Sequence, residues 1–387
     1  MLLIFISCIV LAPVFVFAAQ VLFAIKGPDH ETQESNNRPG AALLVPAHNE
    51  ADVIASTLAV LMPQLGKSDR LLVVADNCTD ETANIARIAG AEVIERTDSD
   101  KRGKGYALDF GVSYLKKNPP EILIIVDADC QVEAGAIDKL ITCCIDTARP
   151  VQALYLMHTP EHAGLKLRIA EFAWLVKNFV RPLGFSRLGL PCQLMGTGMA
   201  FPWVLTNKMN LASSHIVEDM KLGIDLALAG SPPIFCPAAI VKSYFPMDTD
   251  AVDSQRTRWE HGHLGVILYD FPRLFFKGVF RANLSLVAMA IDLMVPPLSM
   301  LAGILMLNLT ITATFAVLSF STIPLLLAFT ASALFGIAVA VAWQGWGKSA
   351  VTLLELLSAP LYILGKIPIY LGFITRRQKE WVKTDRK

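Results

Sequence analysis

The stretch EILIIVDADCQ, residues 121–131, runs from an apolar stem into two carboxylates, Asp127 and Asp129. Its Ile and Val content and its length suit a buried strand. An Asp buried at such a strand end is rare unless it is paired or holds a metal. Parallel α/β sheets open their ligand crevices at the carboxyl ends of strands, so two acids there have a natural task. They can hold a hard divalent cation, which in turn holds the phosphates of a substrate. The alternative is a helix N-cap followed by one first-turn acid. Spacing alone leaves both open.

Upstream, residues 41–45 read as a strand closed by Pro46-Ala47-His48-Asn49-Glu50, and a helix to about Leu61 follows with Asn49 as its cap. A second strand, 70–75, ends at Asp76, and a helix from about Thr79 to Ala89 leads through Gly90 to a third strand, 92–95. A basic, glycine-punctuated loop at 101–105 opens a helix to about Lys116. Strands alternating with helices of these lengths predict a parallel, doubly wound sheet. Right-handed crossovers then put every strand's carboxyl end on one side. His48, Asp76, Asp127 and Asp129 should meet in one crevice.

Downstream the pattern is less regular. Residues 150–157 read as a strand, and 161–181 as one amphipathic helix carrying Lys166, Arg168, Glu171, Lys177 and Arg181. Gly196-Thr197-Gly198 allows either a ligand's close approach or a bend. Glu218-Asp219 precedes an apolar-periodic helix, 220–228, as a dipole-favoured N-terminus or as a general base. Asp76 suits a nucleobase or ribose contact better than a cap, because Thr79 and Asp80 are better placed to cap. Lys101, Arg102 and Lys104 form either a solvated loop or a diphosphate contact, and no Walker motif is present. The run 255–263, QRTRWEHGH, packs cations, an indole and two imidazoles together, which suits a helix interface or a diphosphate beside a sugar ring.

The 387 residues carry zero formal net charge, so no basic field argues for nucleic acid. Hydrophobic residues make up 53%, against the usual ~45–50%. The excess sits at both ends. Residues 2–25 are uncharged and would span ~36 Å as a helix, enough to cross a bilayer. Ala18-Ala19 offers a signal-peptide cleavage site, but no basic residue precedes the run, so 1–25 is expected to be an uncleaved anchor with its N-terminus outside. Residues 26–40 read as a linker and 41–281 as the central domain. Between Ala282 and Gly347 only Asp292 is charged, and Pro296-Pro297 and Pro324 divide the run into spans near 295–318 and 322–344. The stretch 350–374, with Glu355 and Lys366, reads as an interfacial helix or a third span. The C-terminal region thus covers 282–375, ahead of a basic cytoplasmic tail at 376–387. Seven scattered cysteines without a CxxC pair point to reduced thiols rather than a disulfide framework or zinc site.

Taken in order, PAHNE at 46–50, the Asp of VVADNCTDET, GKGYALD, DAD at 127–129, the acidic pair at 218–219 and QRTRW at 255–259 resemble the membrane-integrated family 2 glycosyltransferases. Hyaluronan synthase, cellulose synthase and ceramide glucosyltransferase belong to that set. The resemblance implies a GT-A fold, Rossmann-like and mostly parallel, held in the cytoplasm between transmembrane helices of a bacterial cell membrane. It implies a nucleotide-sugar donor, usually a uridine diphosphate sugar, contacted by Pro46, His48, Glu50, Asp76, Lys104, Asp127, Gln255 and Arg258. Asp127 and Asp129 would bind Mg²⁺ or Mn²⁺. Asp219 would be the catalytic base, and Trp259 with Gly196, Thr197 and Gly198 would meet the acceptor. Ala75-Asp76 departs from the two acids common in relatives.

The implied reaction transfers a hexosyl group with inversion, giving a β-glycoside on a saccharide or lipid. A polysaccharide synthase would need more helices around its chain, unless the protein forms a homo-oligomer or has an export partner. Transfer of one sugar to a ceramide-like lipid, diacylglycerol or polyprenyl phosphate suits the few spans. A non-catalytic sugar-nucleotide sensor is a more remote reading, since all four acids are present. A nucleotidyltransferase, which also uses paired acids and a metal, is another, and it would release pyrophosphate rather than a nucleoside diphosphate.

Overall fold

The computed structural model describes residues 1–26, 38–160, 162–213, 215–246, 249–319 and 321–375. Most of the expected linker and the whole basic tail lie outside the described residues. Helix α1, Leu2–Ala24, is apolar on every face, with Gln20 its most polar buried residue. Then come β1, Ala41–Ala47, α2, Ile54–Leu61, β2, Arg70–Asp76, α3, Thr82–Ile88, β3, Glu92–Arg96, and α4, Lys104–Leu115. The stem of the DAD stretch is β4, Ile122–Ile125, and its last residues pair again as the two-residue β5, Gln131–Val132. Strands β1, β2 and β4 are almost wholly buried and read as continuous apolar runs, as central parallel strands do.

The remaining elements of the domain are α5, Ala136–Thr147, β6, Val151–His158, α6, Leu165–Leu175, α7, Arg181–Ser186, β7, Met199–Pro202, α8, Glu218–Leu228, and β8, Ile234–Tyr244. One sheet of eight strands runs in the order β3-β2-β1-β4-β7-β6-β8-β5. The β3-β2-β1-β4 half is parallel, as expected. The other half departs from the expectation: β7 runs antiparallel between β4 and β6, and β5 runs antiparallel to β8. The reversal has a use. Met199 of β7 pairs with Ile125 of β4, so the residues entering β7 arrive where β4 ends.

Two local expectations are corrected. Asn49 does not cap α2. It sits in the left-handed region at φ 53°, and its side chain accepts from the Thr79 amide at 2.7 Å, tying the β1 loop to the β2 loop. The helix expected over 161–181 is broken. A π turn, Val176–Val180, separates α6 from α7 and so rotates the side chains that follow.

After β8 comes the long α9, Thr249–Phe280, which carries QRTRW across the crevice. The apolar run from 284 opens with α10, Leu284–Met294, which is too short to span and packs on α8 and α9. Helices α11, Leu298–Ser319, and α12, Ile323–Ala342, follow, then α13, Leu353–Leu357, and α14, Ala359–Thr375. Among the described residues three helices are long and apolar enough to cross a membrane, at 2–24, 298–318 and 323–347. The stretch expected as one interfacial helix is divided into α13 and the 17-residue α14.

The membrane layer and the domain share a core. Phe17 and Val21 of α1 pack with Leu154 of β6, Phe235 of β8 and Ala331 and Ala342 of α12. Burying each of the Phe, Val and Leu side chains contributes roughly 1.5–3 kcal/mol. Gly184 of α7 lies so close to α1 that a Cβ there would stand 1.9 Å from the Gln20 carbonyl. A buried polar lock completes the junction. Arg181 donates to Gln20 Oε1 and to Asp292 Oδ1 at 2.8 Å each, and Gln20 donates to Asp292 at 2.7 Å.

Candidate active site

The site forms where β1, β2 and β4 end. Register places Ala47 beside Ala75 and Leu44 beside Ile125, so the three following loops lie side by side. His48 Nδ1 is 2.7 Å from the Asp76 carbonyl, and the Glu50 amide donates to Thr82 Oγ1 at 2.8 Å. Thr82 also donates through its amide and hydroxyl to Asp80, which frees Asp76 from capping. Asp76, 5% exposed, instead accepts from Arg96 at 2.6 Å. Arg96 went unrecognised as a site neighbour, because nothing in ERTDSD marks it before β2 and β3 are paired.

The DAD carboxylates follow β4 directly. The Asp127 amide donates to Thr197 Oγ1 at 3.0 Å, which fixes the DAD turn against the start of β7. Lys104, the first residue of α4, ion-pairs with Asp127 and donates to the Gly196 carbonyl at 2.7 Å. Burial works to lower the Lys104 pKa, but Asp127, Glu218 and Asp219 outweigh it and hold the ammonium charged. Oxygens of Asp127 and Asp129 and Cys130 Sγ lie within 4.8 Å of one another. Burial pushes the Cys130 thiol up to about 12, so it stays protonated and unsuited to a hard cation. The two carboxylates fit such a cation by their chemistry and their position at a crevice floor.

Glu218 and Asp219 form the first turn of α8, where the helix dipole favours anions. Asp219 Oδ1 also accepts from the Met220 amide at 2.8 Å. Burial nonetheless raises the Asp219 carboxyl, against the pull of Lys104, the Met220 amide and Lys177. Burial, then the charge of Asp219, pushes Glu218 up in turn. On the facing α9, burial lowers the Arg258 guanidinium and Glu218 partly restores it.

Two cavities meet over these groups. The outer one, about 620 Å³, is lined by Pro46, His48, Glu50, Asp76, Asn77 and Arg102 among others. The inner one, about 280 Å³, is lined by Glu218, Asp219, Trp259, Gly196 and Trp174 among others. Lys104, Asp127, Asp129, Gln255 and Arg258 line both and form the ridge between them. Of the glycine stretch, only Gly196 lines the inner cavity. Thr197 is fully buried beneath the DAD turn, and Gly198, at φ 63°, is wedged against Ala153 and Val241, where a Cβ would be within 2.8 Å of both. These two support the carboxylates rather than touching the cavity. Trp174, which the sequence did not single out, packs on Trp259 with ring centres 4.8 Å apart. Only the π turn after α6 and the crossing of α9 bring these rings together.

A parallel-to-mixed α/β sheet with this carboxylate ridge defines a glycosyltransferase of the GT-A class. Residues 39–262, more than half of the sequence, match the family model described as glycosyltransferase-like family 2, and the chain belongs to that family. It is similar to the probable glycosyltransferase YdaM of Bacillus subtilis, 27% identical over 62% of this chain and 58% of the relative. It also resembles the 4,4'-diaponeurosporenoate glycosyltransferase of Staphylococcus haemolyticus, 27% identical over 49% and 52% of the two chains. A third relative is the probable glucomannan 4-beta-mannosyltransferase 14 of Arabidopsis thaliana, 25% identical over 68% and 51%. The matches thus span little more than half the length of these relatives. Among solved structures, the mannosyltransferase PcManGT of Pyrobaculum calidifontis, in complex with GDP-Man and Mn2+, shares the fold. Its TM-score is 0.54 at 18% identity, over 88% of this chain and 99% of that one.

Proposed function

We propose that this protein moves a hexosyl group from a nucleoside diphosphate sugar, a uridine diphosphate sugar first among them, to a hydroxyl of a membrane lipid, with inversion. One observation carries the lipid acceptor. The inner cavity borders an apolar groove of about 1040 Å³ between α6, α11, α12 and α14. Ala173, Leu298, Ser299 and Tyr362 line both spaces. A polar head at Asp219 can therefore keep its hydrocarbon chain in apolar surroundings.

The donor takes the outer cavity, with its nucleotide among Pro46, His48, Glu50 and Asp76 and its diphosphate on the ridge. Asp127 and Asp129 would hold Mg²⁺ or Mn²⁺, which would supply charge neutralisation for the leaving diphosphate. Arg258, Gln255 and Lys104 stabilise the same charge as preorganised donors. The acceptor oxygen attacks the anomeric carbon, its proton passes to Asp219, and the sugar–phosphate bond breaks with its electron pair on the diphosphate. Trp259 and Trp174 offer apolar faces to the sugar and acceptor. The catalytic domain lies on the cytoplasmic side, where nucleotide sugars are made, and the three long helices anchor it.

The test is an assay of membranes with a panel of nucleotide sugars, scoring nucleoside diphosphate release and lipid-soluble product. Gly336 lines the groove, and a Cβ there meets nothing within 4 Å. Gly336→Phe should fill the groove without a backbone clash and cut transfer to lipid at least about tenfold, with donor affinity unchanged. Normal lipid transfer by Gly336→Phe, or product that is polysaccharide, would remove the lipid reading.

A further inference from the structure

The proposed reaction gives Lys177 no contact with donor or acceptor, yet it lines the inner cavity. It belongs to the π turn between α6 and α7, an irregularity that turns its side chain inward. Among the described residues its ammonium makes no hydrogen bond or ion pair, and its one charge-compensating contact is the Trp174 ring, 5.1 Å away. Its neighbours in this cavity are otherwise engaged. Arg181 is held by Asp292 and Gln20, Lys104 by Asp127, and Lys366 by Glu260. Burial lowers the Lys177 pKa, and Asp219 offsets that only in part. A cation kept in a half-buried cavity with one aromatic partner is costly until an anion reaches it.

We propose that the lipid acceptor carries an anionic group, a phosphate or a carboxylate, next to its attacking hydroxyl, and that Lys177 receives it. This rests on the lipid-acceptor reading and deepens it. The two ends of the cavity then divide the labour. Asp219 meets the hydroxyl, Lys177 meets the anion, and the chain leaves past Ala173 and Tyr362 into the groove. A neutral lipid would leave the ammonium unpaired and would be discriminated against by the desolvation of Lys177 rather than by shape.

The test uses the full-length protein in an uncharged detergent, with no donor present. Thermal protection is titrated with dodecyl phosphate, dodecanoate and dodecanol. Both anions should protect at concentrations at least about tenfold below the alcohol, the size of one charge-assisted contact. Whichever anion is tighter identifies the head. Lys177→Met should abolish the preference and Lys177→Arg should keep it, while retained UDP binding shows that each variant is folded. Equal protection by all three compounds means that the groove holds bulk lipid and overturns the proposal, as does an anion preference that survives in Lys177→Met. The lipid reading itself fails differently, through normal lipid transfer by Gly336→Phe.

Discussion

At the scale of single residues, the proposed base Asp219 carries the sharpest expectation. Asp219→Asn keeps the shape and the Met220 hydrogen bond but cannot take a proton. Transfer should fall about 10²–10⁴-fold, while donor affinity measured by calorimetry stays close to the parent value. Near-normal turnover would remove the base assignment. The pH profile carries a second expectation. Burial raises the Asp219 carboxyl, and a base works only when deprotonated, so activity is lost as pH falls through that raised pKa. The acid limb should therefore lie above that of a solvent-exposed aspartate. Glu218 and Asp219 titrate as a pair, so Glu218→Gln, which removes one negative neighbour, should move the limb downward. An unmoved limb in that variant would separate Glu218 from the titration. The sequence offered Asp76, Asp127, Asp129 and Asp219 as candidates, and the fold brings them to the crevice where β1, β2 and β4 end and α8 begins. What the sequence could not rank was Thr197 against Gly196. Both sit in one short polar stretch, and only the depth of each under the DAD turn tells support from cavity wall.

At the scale of elements, the junction of α1, α7 and α10 is the part most exposed to single changes. Arg181→Met leaves Asp292 buried without its cation, a loss of about 3–5 kcal/mol. The variant should unfold at markedly lower temperature in detergent. A melting temperature within about a degree of the parent would show that the lock is dispensable. The parallel half of the sheet could be read from strand–helix alternation, since each crossover leaves a helical period between two apolar runs. The reversed β7 could not. MAFP is four residues long, and its partner β4 lies more than 70 positions upstream, so no local pattern announces the pairing. The π turn was invisible for a related reason. A run of apolar residues with interspersed charges fits one continuous helix equally well, and packing against β6 and α1 decides where it breaks.

At the scale of the whole molecule, the domain is joined to its membrane helices through a common core rather than through a tether. Its orientation can be tested directly. Lys67 is exposed in the turn that leads into β2 of the catalytic domain. A Lys67→Cys variant in sealed right-side-out vesicles should resist a membrane-impermeant maleimide and react once the vesicles are inverted. Labelling from the outside would place the domain on the opposite side.

The sequence by itself determined the class of chemistry. Carboxylates, cations and an indole in this order need only be present for their uses to be limited, and apolar runs of over 20 residues need only be counted. Tertiary structure alone decided what those groups face. It put Arg96 on Asp76 and Thr197 beneath Asp127. It set the inner cavity beside the groove between α11, α12 and α14, and it left Lys177 in that cavity with Trp174. Such facts depend on contacts between residues tens to hundreds of positions apart, fixed by strand register, by a helix irregularity and by the burial of α1 against the sheet.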